Sequence, residues 1–199
     1  MDDTGPGLRE RKKRATKRAL HEAAMRLALR DGYDQLTVEA VADAATVSRR
    51  TFSNYFAGKE EALLHGERTR LARLLAAVAA RPADERPWAA LTAAIHDEVR
   101  DFDTEAGPAW LEQARLIRSH PDLLAEQIAT FASFERDLAE HLDHRTPPDL
   151  RSRTRARVIA GCFLTALRVG TQAWVDGPDE ASLPELVEQA LAEAGRELP

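Results

Sequence analysis

The segment 36-LTVEAVADAATVSRRTFSNYFAGKEEAL-63 decides the fold of the first third of the chain. Its pattern predicts two short helices, one over 38–44 with Thr37 as N-cap and one over 49–56 with Ser48 as N-cap. Helices this short are not stable alone in water, so they must share a core. The apolar residues that supply this core are Val38, Val41, Ala42, Ala45, Val47, Phe52 and Phe56. The segment therefore predicts a helix-turn-helix.

The second of these helices carries side chains that suit DNA recognition. Arginine grips guanine O6 and N7, asparagine grips adenine N6 and N7, and threonine contacts a thymine methyl. Hydroxyl groups and the free N–H groups of helix N-termini bind phosphate. We therefore expect DNA contacts from Thr37, Ser48, Arg49, Arg50, Thr51, Ser53, Asn54, Tyr55 and Lys59. The alternative is a helical pair with incidental surface arginines, but these residues fall where a docked helix needs them.

The overall charge of −5 at pH 7 argues against DNA binding until the chain is divided. Residues 1–65 carry 12 Lys and Arg against 10 Asp and Glu, whereas residues 66–199 carry 16 against 23. Residues 9–18 alone hold seven basic side chains and one acidic side chain, Glu10. A basic end on an acidic body steers DNA to one end of a molecule. A solvated helix start fits the same charge pattern equally well.

The fold class predicted for the whole chain is all-α, with about nine helices in an N-terminal three-helix head and a helical body. Good helix formers dominate, and no stretch of five or more residues alternates like a strand. We expect a helix-turn-helix DNA-binding domain over 8–58 and a ligand-binding and dimerisation domain over 59–199. The remaining predicted helices cover 8–30, 59–81, 86–102, 108–119, 121–143, 149–175 and 183–197.

Across residues 9–65 the chain resembles the TetR family, the tetracycline-repressor-like bacterial regulators. Its T-[FL]-x-x-Y-F-x-x-K-E pattern is reproduced by Thr51, Phe52, Tyr55, Phe56, Lys59 and Glu60. Ser53 departs from the family, because relatives often place an aromatic residue there. The resemblance implies an all-α homodimer whose variable body binds a small molecule and then releases DNA. It also implies phosphate contacts at Thr37 and Lys59, and recognition-helix contacts at Arg49, Arg50, Thr51, Asn54 and Tyr55.

Aromatic and basic residues in the middle of the chain predict an effector pocket, in which two arginines would attract an anionic ligand. Its candidate members are Phe102, Trp110, Leu111, Arg115, Arg118, Phe131, Phe134 and Phe163. For each aromatic residue, plain core packing is the alternative. The stretch 114-ARLIRSHPDL-123 is similar to the bodies of TetR-family members that bind acyl-CoA-like molecules, including mycofactocin-type regulators. The effector class implied by this resemblance is an acyl-CoA or fatty-acyl molecule.

The last two predicted helices are expected to form the interface of a homodimer, as their position in the family implies. Small and apolar residues let another helix approach closely, namely Ala160, Gly161, Ala166, Gly170, Ala173, Leu183, Leu186, Val187, Ala190 and Leu191. Packing within one chain is the alternative. A two-fold dimer places two recognition helices about one DNA turn apart, which predicts a palindromic operator.

Other protein classes are disfavoured. The first twenty residues lack the apolar region of a secretory signal, and no apolar run approaches the ~20 residues of a membrane span. One cysteine, Cys162, excludes an intrachain disulfide, so we expect a cytoplasmic protein. No G-x-S-x-G, Gly-rich phosphate loop or HExxH motif occurs, so we expect no enzyme activity, metal or cofactor.

The leading interpretation is a bacterial repressor that a small-molecule effector releases from a palindromic operator. Two alternatives remain open at this point. One is a DNA-binding protein that works without an effector, and the other is a small all-α enzyme with a degenerate helix-turn-helix-like start.

Overall fold

A computed structural model describes residues 7–100, 107–143, 150–177 and 181–196. These residues form ten α-helices and one 3-10 turn, Tyr33–Gln35, and contain no strand. The all-α prediction is therefore confirmed. The helices are α1 Leu8–Asp31, α2 Val38–Ala44, α3 Arg49–Ser53, α4 Lys59–Leu63, α5 His65–Ala79, α6 Pro87–Arg100, α7 Gly107–Ser119, α8 Pro121–Asp143, α9 Leu150–Asp176 and α10 Leu183–Gly195.

Two predicted helices differ from the structure. Helix α3 ends at Ser53 rather than near residue 56, and the helix predicted over 59–81 is divided into α4 and α5 at Leu64. Gly66 gives a physical reason for the division. A Cβ at Gly66 would lie 2.7 Å from Nε2 of His21, so a larger residue there would require the His21 side chain to shift. The same glycine weakens the helix locally. The predicted ends at 102, 149 and 197 lie outside the described residues.

The chain divides into two compact units. The first unit consists of two stretches of sequence, the residues up to Thr69 and the segment Leu116–Gln127. The second unit consists of Arg70–Arg115 and the residues from Ile128 onward. The domain boundary that we expect between Gly58 and Lys59 stays a prediction.

The first unit is organised around one face of α1. That face buries Leu20, Ala24 and Leu27, as the amphipathic pattern predicts. The core packed against it includes Tyr33, Leu36, Val41, Ala42, Phe52, Phe56, Leu63, Ile117 and Leu123. Phe52 is only 1% exposed, and burying a side chain of this size contributes about 1.5–3 kcal/mol. The short helices are therefore stabilised by this shared core rather than by their own length.

The second unit has α9 and α10 as its central packed pair. Gly170 sits where they come closest, because a Cβ there would lie 2.8 Å from the carbonyl oxygen of Leu186 and from Cα of Val187. Six of the ten residues assigned to a dimer interface are therefore core residues of one chain. These are Ala160, Ala166, Gly170, Leu183, Val187 and Leu191. The expectation that the whole set faces a second copy is corrected in this respect.

Helix α9 also differs from the expectation that no segment is long and apolar enough to span a membrane. It meets that criterion by length and composition, with a mean hydropathy of 1.4 over 18 residues. Core helices of soluble proteins meet it too, and 44% of this window is buried within the protein. One such helix is weak evidence for a membrane span, and its buried apolar residues, among them Ile159, Phe163 and Trp174, belong to the core of the second unit.

Candidate nucleic-acid interface

The helix-turn-helix is fixed at both helix starts by side-chain caps, as predicted. The Thr37 Oγ1 accepts a hydrogen bond from the Ala40 N–H at 3.1 Å. The Ser48 Oγ accepts one from the Thr51 N–H at 3.0 Å, and the Ser48 and Thr51 hydroxyl oxygens lie 2.8 Å apart. Each cap of this kind is worth about 1 kcal/mol. Both hydroxyl residues thus orient the reading surface while standing at helix N-termini.

The turn between α2 and α3 contains a strained residue. Thr46 has a φ of 56°, the only positive φ of a non-glycine residue in the described part of the chain. Its N–H donates to the Asp43 carbonyl at 3.0 Å, and the Val47 N–H donates to the Ala42 carbonyl at 2.9 Å. A β-branched side chain in this region of backbone space costs of order 1 kcal/mol or more. The turn therefore holds Thr46 against its own conformational preference.

The exposed surface of α3 brings the predicted recognition residues together. Arg49, Arg50, Ser53 and Asn54 are exposed, while Thr51 and Tyr55 are half-buried. Tyr55 follows the end of the helix in a tightened turn, in which its N–H donates to the Phe52 carbonyl at 2.8 Å. This turn explains why the helix ends earlier than predicted although the chain continues to curl.

The two arginines of α3 differ in their surroundings. Arg49 lies 3.0 Å from the carboxylate of Glu39 on α2, and both side chains are mostly exposed. Such a surface ion pair is weak and is easily exchanged for a phosphate or a base. Arg50 makes no ion pair with any described residue. Its guanidinium is therefore available without breaking an existing contact.

Lys59 is held in place rather than extended into solvent. Its Nζ donates to the Tyr33 carbonyl at 3.1 Å and lies 4.1 Å from the centroid of the Tyr33 ring. The Tyr33 hydroxyl donates to Glu60 Oε1 at 2.7 Å. Burial, and then the Glu60 carboxylate, raise the pKa of Tyr33, which keeps the hydroxyl protonated as a donor. Sequence reasoning did not identify Tyr33 as a partner of Lys59. Its position as an aromatic residue directly after Gly32 was the only local signal for it.

A pair of histidines packs behind the recognition helix. The His21 Nδ1–H donates to the Ala62 carbonyl at 2.9 Å, and its ring centroid is 6.0 Å from that of His65. The His65 ring lies 5.3 Å from that of Phe56. Burial, and then the positive charges of His21, Lys17 and Arg68, lower the pKa of His65 to about 4 against the opposing effect of Glu61. His65 is therefore neutral at pH 7.

Acidic residues tie the loop after α3 to its neighbours within the first unit. Glu61 Oε2 accepts from the Ala57 N–H at 2.7 Å, and its other oxygen lies 2.7 Å from Arg68. Arg68 also pairs with Glu126 at the start of α8. Sequence reasoning missed these contacts too. Only the Ala57–Glu61 contact, four residues apart, could have been read from local spacing.

The residues predicted for an effector pocket divide into two groups. The described aromatic and aliphatic members belong to or pack against the core of the second unit, and Arg115 and Arg118 are exposed. Phe102 lies outside the described residues. The Trp110 ring packs against Trp174 at 5.2 Å, and the Arg70 guanidinium lies 5.7 Å from it. Arg70 is thus a basic residue beside these aromatics that sequence reasoning did not select.

The all-α architecture and the exposed arginines of α3 define a helix-turn-helix DNA-binding regulator. Residues 20–65 match the family of bacterial regulatory proteins, tetR family, and residues 85–199 match the MftR C-terminal domain. The chain is 37% identical over 175 residues to the HTH-type transcriptional regulator TcmR of Streptomyces glaucescens, covering 85% of this chain and 77% of that protein. This chain belongs to the TetR family of bacterial transcriptional regulators.

Solved structures with the same fold include three regulators of low sequence identity. The fatty acid degradation regulator FadR of Bacillus halodurans matches with a TM-score of 0.58 at 17% identity, over 99% of this chain and 98% of that one. NalD, the secondary repressor of the MexAB-OprM multidrug efflux pump in Pseudomonas aeruginosa, gives 0.58 at 18%, over 94% and 96%. A Rhodococcus transcriptional regulator gives 0.53 at 22%, over 89% and 92%. These likenesses show the fold.

We predict that Thr46→Gly stabilises the protein by about 1 kcal/mol, because glycine adopts a positive φ without the strain of a threonine. Thr46 is exposed, so little packing is lost. The matched control is Ala44→Gly, since Ala44 is an exposed residue at the end of α2 and glycine there adds unfolded-state freedom without relieving a positive φ. Urea unfolding measures both. Equal destabilisation by the two variants would show that the turn stores no strain.

We predict that His65 makes the protein less stable as the pH falls below about 6.5. An unfolded histidine has a pKa near 6.5 and the folded one about 4, so the unfolded state takes up the proton first. Allowing for partial exposure, the loss between pH 7 and pH 5 is about 1–2 kcal/mol. His65→Gln removes this contribution, whereas His96→Gln, at an exposed site on α6, leaves it. Chemical denaturation at both pH values compares them, and identical pH dependence of wild type and His65→Gln contradicts the prediction.

Proposed function

We propose that this protein is a cytoplasmic dimeric repressor that binds a palindromic operator and leaves it when its body binds a small-molecule effector. The observation that carries the proposal is the exposed surface of α3, where Arg50 has no competing ion pair and the helix is fixed by the Ser48 cap. Family membership supports a role in transcription rather than in catalysis.

Each candidate residue of the head has a distinct role in this proposal. Arg49 and Arg50 read guanine, and Asn54 reads adenine, from the major groove. Ser53, Thr51 and Tyr55 border that groove, and their hydroxyl groups suit phosphate or base edges. Thr37, Ser48 and Lys59 stand at the N-terminal ends of helices and bind phosphate. Lys59 uses one of its three protons on Tyr33, which leaves two for a phosphate oxygen.

We predict that Arg50→Ala lowers the preference for the operator over random duplex by 1–3 kcal/mol, about 5- to 150-fold, because a bidentate base contact is lost. Lys59→Gln is the comparison, and it weakens binding to both duplexes while reducing the salt slope by about one. Fluorescence anisotropy over a salt series measures both effects. Equal affinity of the wild type for operator and random DNA would overturn the repressor proposal, and unchanged selectivity in Arg50→Ala would overturn this residue's role.

The dimer is proposed to form along the open side of α9 and α10. Val158 and Val169 are 50% and 49% exposed, which is unusual for valines on a helix of the core. They border a groove of about 1130 Å³, whose other lining residues include Gly161, Cys162, Ala173, Leu186 and Ala190. An apolar groove along two long helices fits the same two helices of a second copy. This smaller set replaces the full list of predicted interface residues.

We predict that Val169→Glu gives a monomer, because the dimer interface would then bury one carboxylate from each copy without a positively charged partner. The substitution leaves the monomer folded, since this side chain is half exposed. Ala72→Glu, on an exposed position of α5, is the matched control and stays dimeric. Sedimentation equilibrium measures the association state. A Val169→Glu protein as dimeric as the control would contradict the proposed interface.

The effector is proposed to bind in the second unit, beside the aromatic residues of α7, α8 and α9. The match to the MftR C-terminal domain and the pairing of Trp110 with Trp174 near Arg70 support an apolar ligand with an anionic group. An acyl-CoA-like molecule is one such ligand. Loss of operator binding on adding lauroyl-CoA, with free CoA as control, identifies this class. Operator binding that responds to no ligand would favour the effector-independent alternative.

A further inference from the structure

Glu39 is an acidic side chain on the surface that is proposed to face DNA. It lies in the first turn of α2, two residues after the Thr37 cap, and it is exposed. Its carboxylate lies 3.0 Å from the guanidinium of Arg49. No other acidic side chain in the described part of the chain pairs with a residue of α3. DNA phosphates repel a carboxylate, so this position is unfavourable for binding that depends on phosphates alone.

The helix-turn-helix segment carries no net charge. Residues 37–56 contain two basic residues, Arg49 and Arg50, and two acidic residues, Glu39 and Asp43. Non-specific binding depends on cations that neutralise phosphates, so this segment contributes little to it. Arg50 makes no ion pair with any described residue, whereas Arg49 is already paired. One of the two arginines that are proposed to read guanine is therefore partly neutralised before DNA is bound.

The Arg49–Glu39 pair presents hydrogen-bond donors and acceptors side by side. A guanidinium only donates hydrogen bonds, and a carboxylate only accepts them. Phosphate oxygens are acceptors, so the DNA backbone satisfies Arg49 but not Glu39. In the major groove, a G·C pair shows O6 and N7 of guanine as acceptors and the N4 amine of cytosine as a donor. The edge of a G·C pair therefore matches both members of the ion pair.

The ion pair is placed where base edges are read. The first residues of a recognition helix meet the bases, and Arg49 is the first residue of α3. The Arg49 side chain is 73% exposed and that of Glu39 is 54% exposed, so both are open to a ligand. An exposed ion pair is weak, and exchanging it for base contacts costs little. A complex that touches phosphates alone leaves the Glu39 carboxylate beside the backbone without a donor.

We propose that Glu39 is a specificity-determining residue, which accepts a hydrogen bond from cytosine N4 in the G·C pair whose guanine Arg49 binds. Its negative charge penalises every complex that lacks this base contact. Selectivity therefore comes from α2 as well as from the recognition helix. The inference rests on the proposed function, because it needs a specific operator, and it adds a residue that the sequence did not identify as a DNA contact.

The test compares two variants that remove the same charge from α2. Glu39→Gln keeps the size of the side chain. Asp43→Asn is the matched control, because Asp43 is exposed on the same helix and makes no ion pair with any described residue. Each protein selects binding sites from a duplex library with a randomised centre, and the enriched sequences are read. Affinity for the palindrome enriched by the wild type, and for random duplex, is then measured over a salt series.

The expected result for Glu39→Gln is tighter binding to random duplex, by threefold or more at low salt. The salt slope steepens by about one, because Arg49 is released to bind a phosphate. The base choice relaxes at one G·C position in each half-site, and Arg49→Ala relaxes the same position. Preference for the palindrome over random duplex falls about 5- to 150-fold, which corresponds to one base contact.

The control separates this role from two simpler ones. Asp43→Asn is expected to keep the enriched sequence and to change both affinities by the same factor, as the loss of a surface charge does. Glu39 also stabilises the start of α2 by its charge, and urea unfolding measures that contribution. A purely structural role of Glu39 weakens binding to both duplexes equally. Glu39→Gln with an unchanged base choice, or with the same effects as Asp43→Asn, would overturn the proposal.

The selection also separates this inference from the proposed function. A wild type that enriches no palindrome contradicts the repressor proposal, and Glu39 then has no selectivity to supply. A wild type that enriches a palindrome, together with a Glu39→Gln protein that enriches the same one as strictly, contradicts the role of Glu39 alone.

Discussion

Helices of seven and five residues cannot sustain themselves in water, and the reading surface of this protein is built on two of them, α2 and α3. Their geometry depends on the burial of Phe52 and Phe56 against the apolar face of α1. The caps and the strained turn only refine a position that this core imposes. The direction in which Arg50 points is therefore set by hydrophobic packing on the far side of the same helix.

Features governed by neighbours within one helical turn were predictable from sequence. The caps at Thr37 and Ser48 appear as expected, because each needs only the right residue three positions away, and the capping box of Ser182 and Glu185 has the same local origin. The bounds of α2 and α8 agree at both ends. The amphipathic stripe of α1 also follows from spacing alone, since its period belongs to the helix and not to the fold.

The rest depends on contacts that no local pattern encodes. Lys59 meets Tyr33 across 26 positions, and His21 meets Ala62 across 41. The small residues of α9 were ambiguous in the same way. Their spacing shows that another helix can approach closely, but it does not show whether that helix belongs to the same chain or to a second copy. Both Gly161 and Gly170 line the open groove, but only a Cβ at Gly170 would meet the backbone of α10, whereas one at Gly161 would meet the Glu135 side chain on α8.

The segment Leu116–Gln127 belongs to the first compact unit although it follows that unit's other residues by more than forty positions. Ile117 and Leu123 are 4% and 0% exposed in its core. During synthesis, the chain emerges from the ribosome in order, so the DNA-binding core stays incomplete until well over half of the protein has been made. Grafting this head onto another body likewise means carrying two separate pieces of sequence, since the first 69 residues lack part of their own interior.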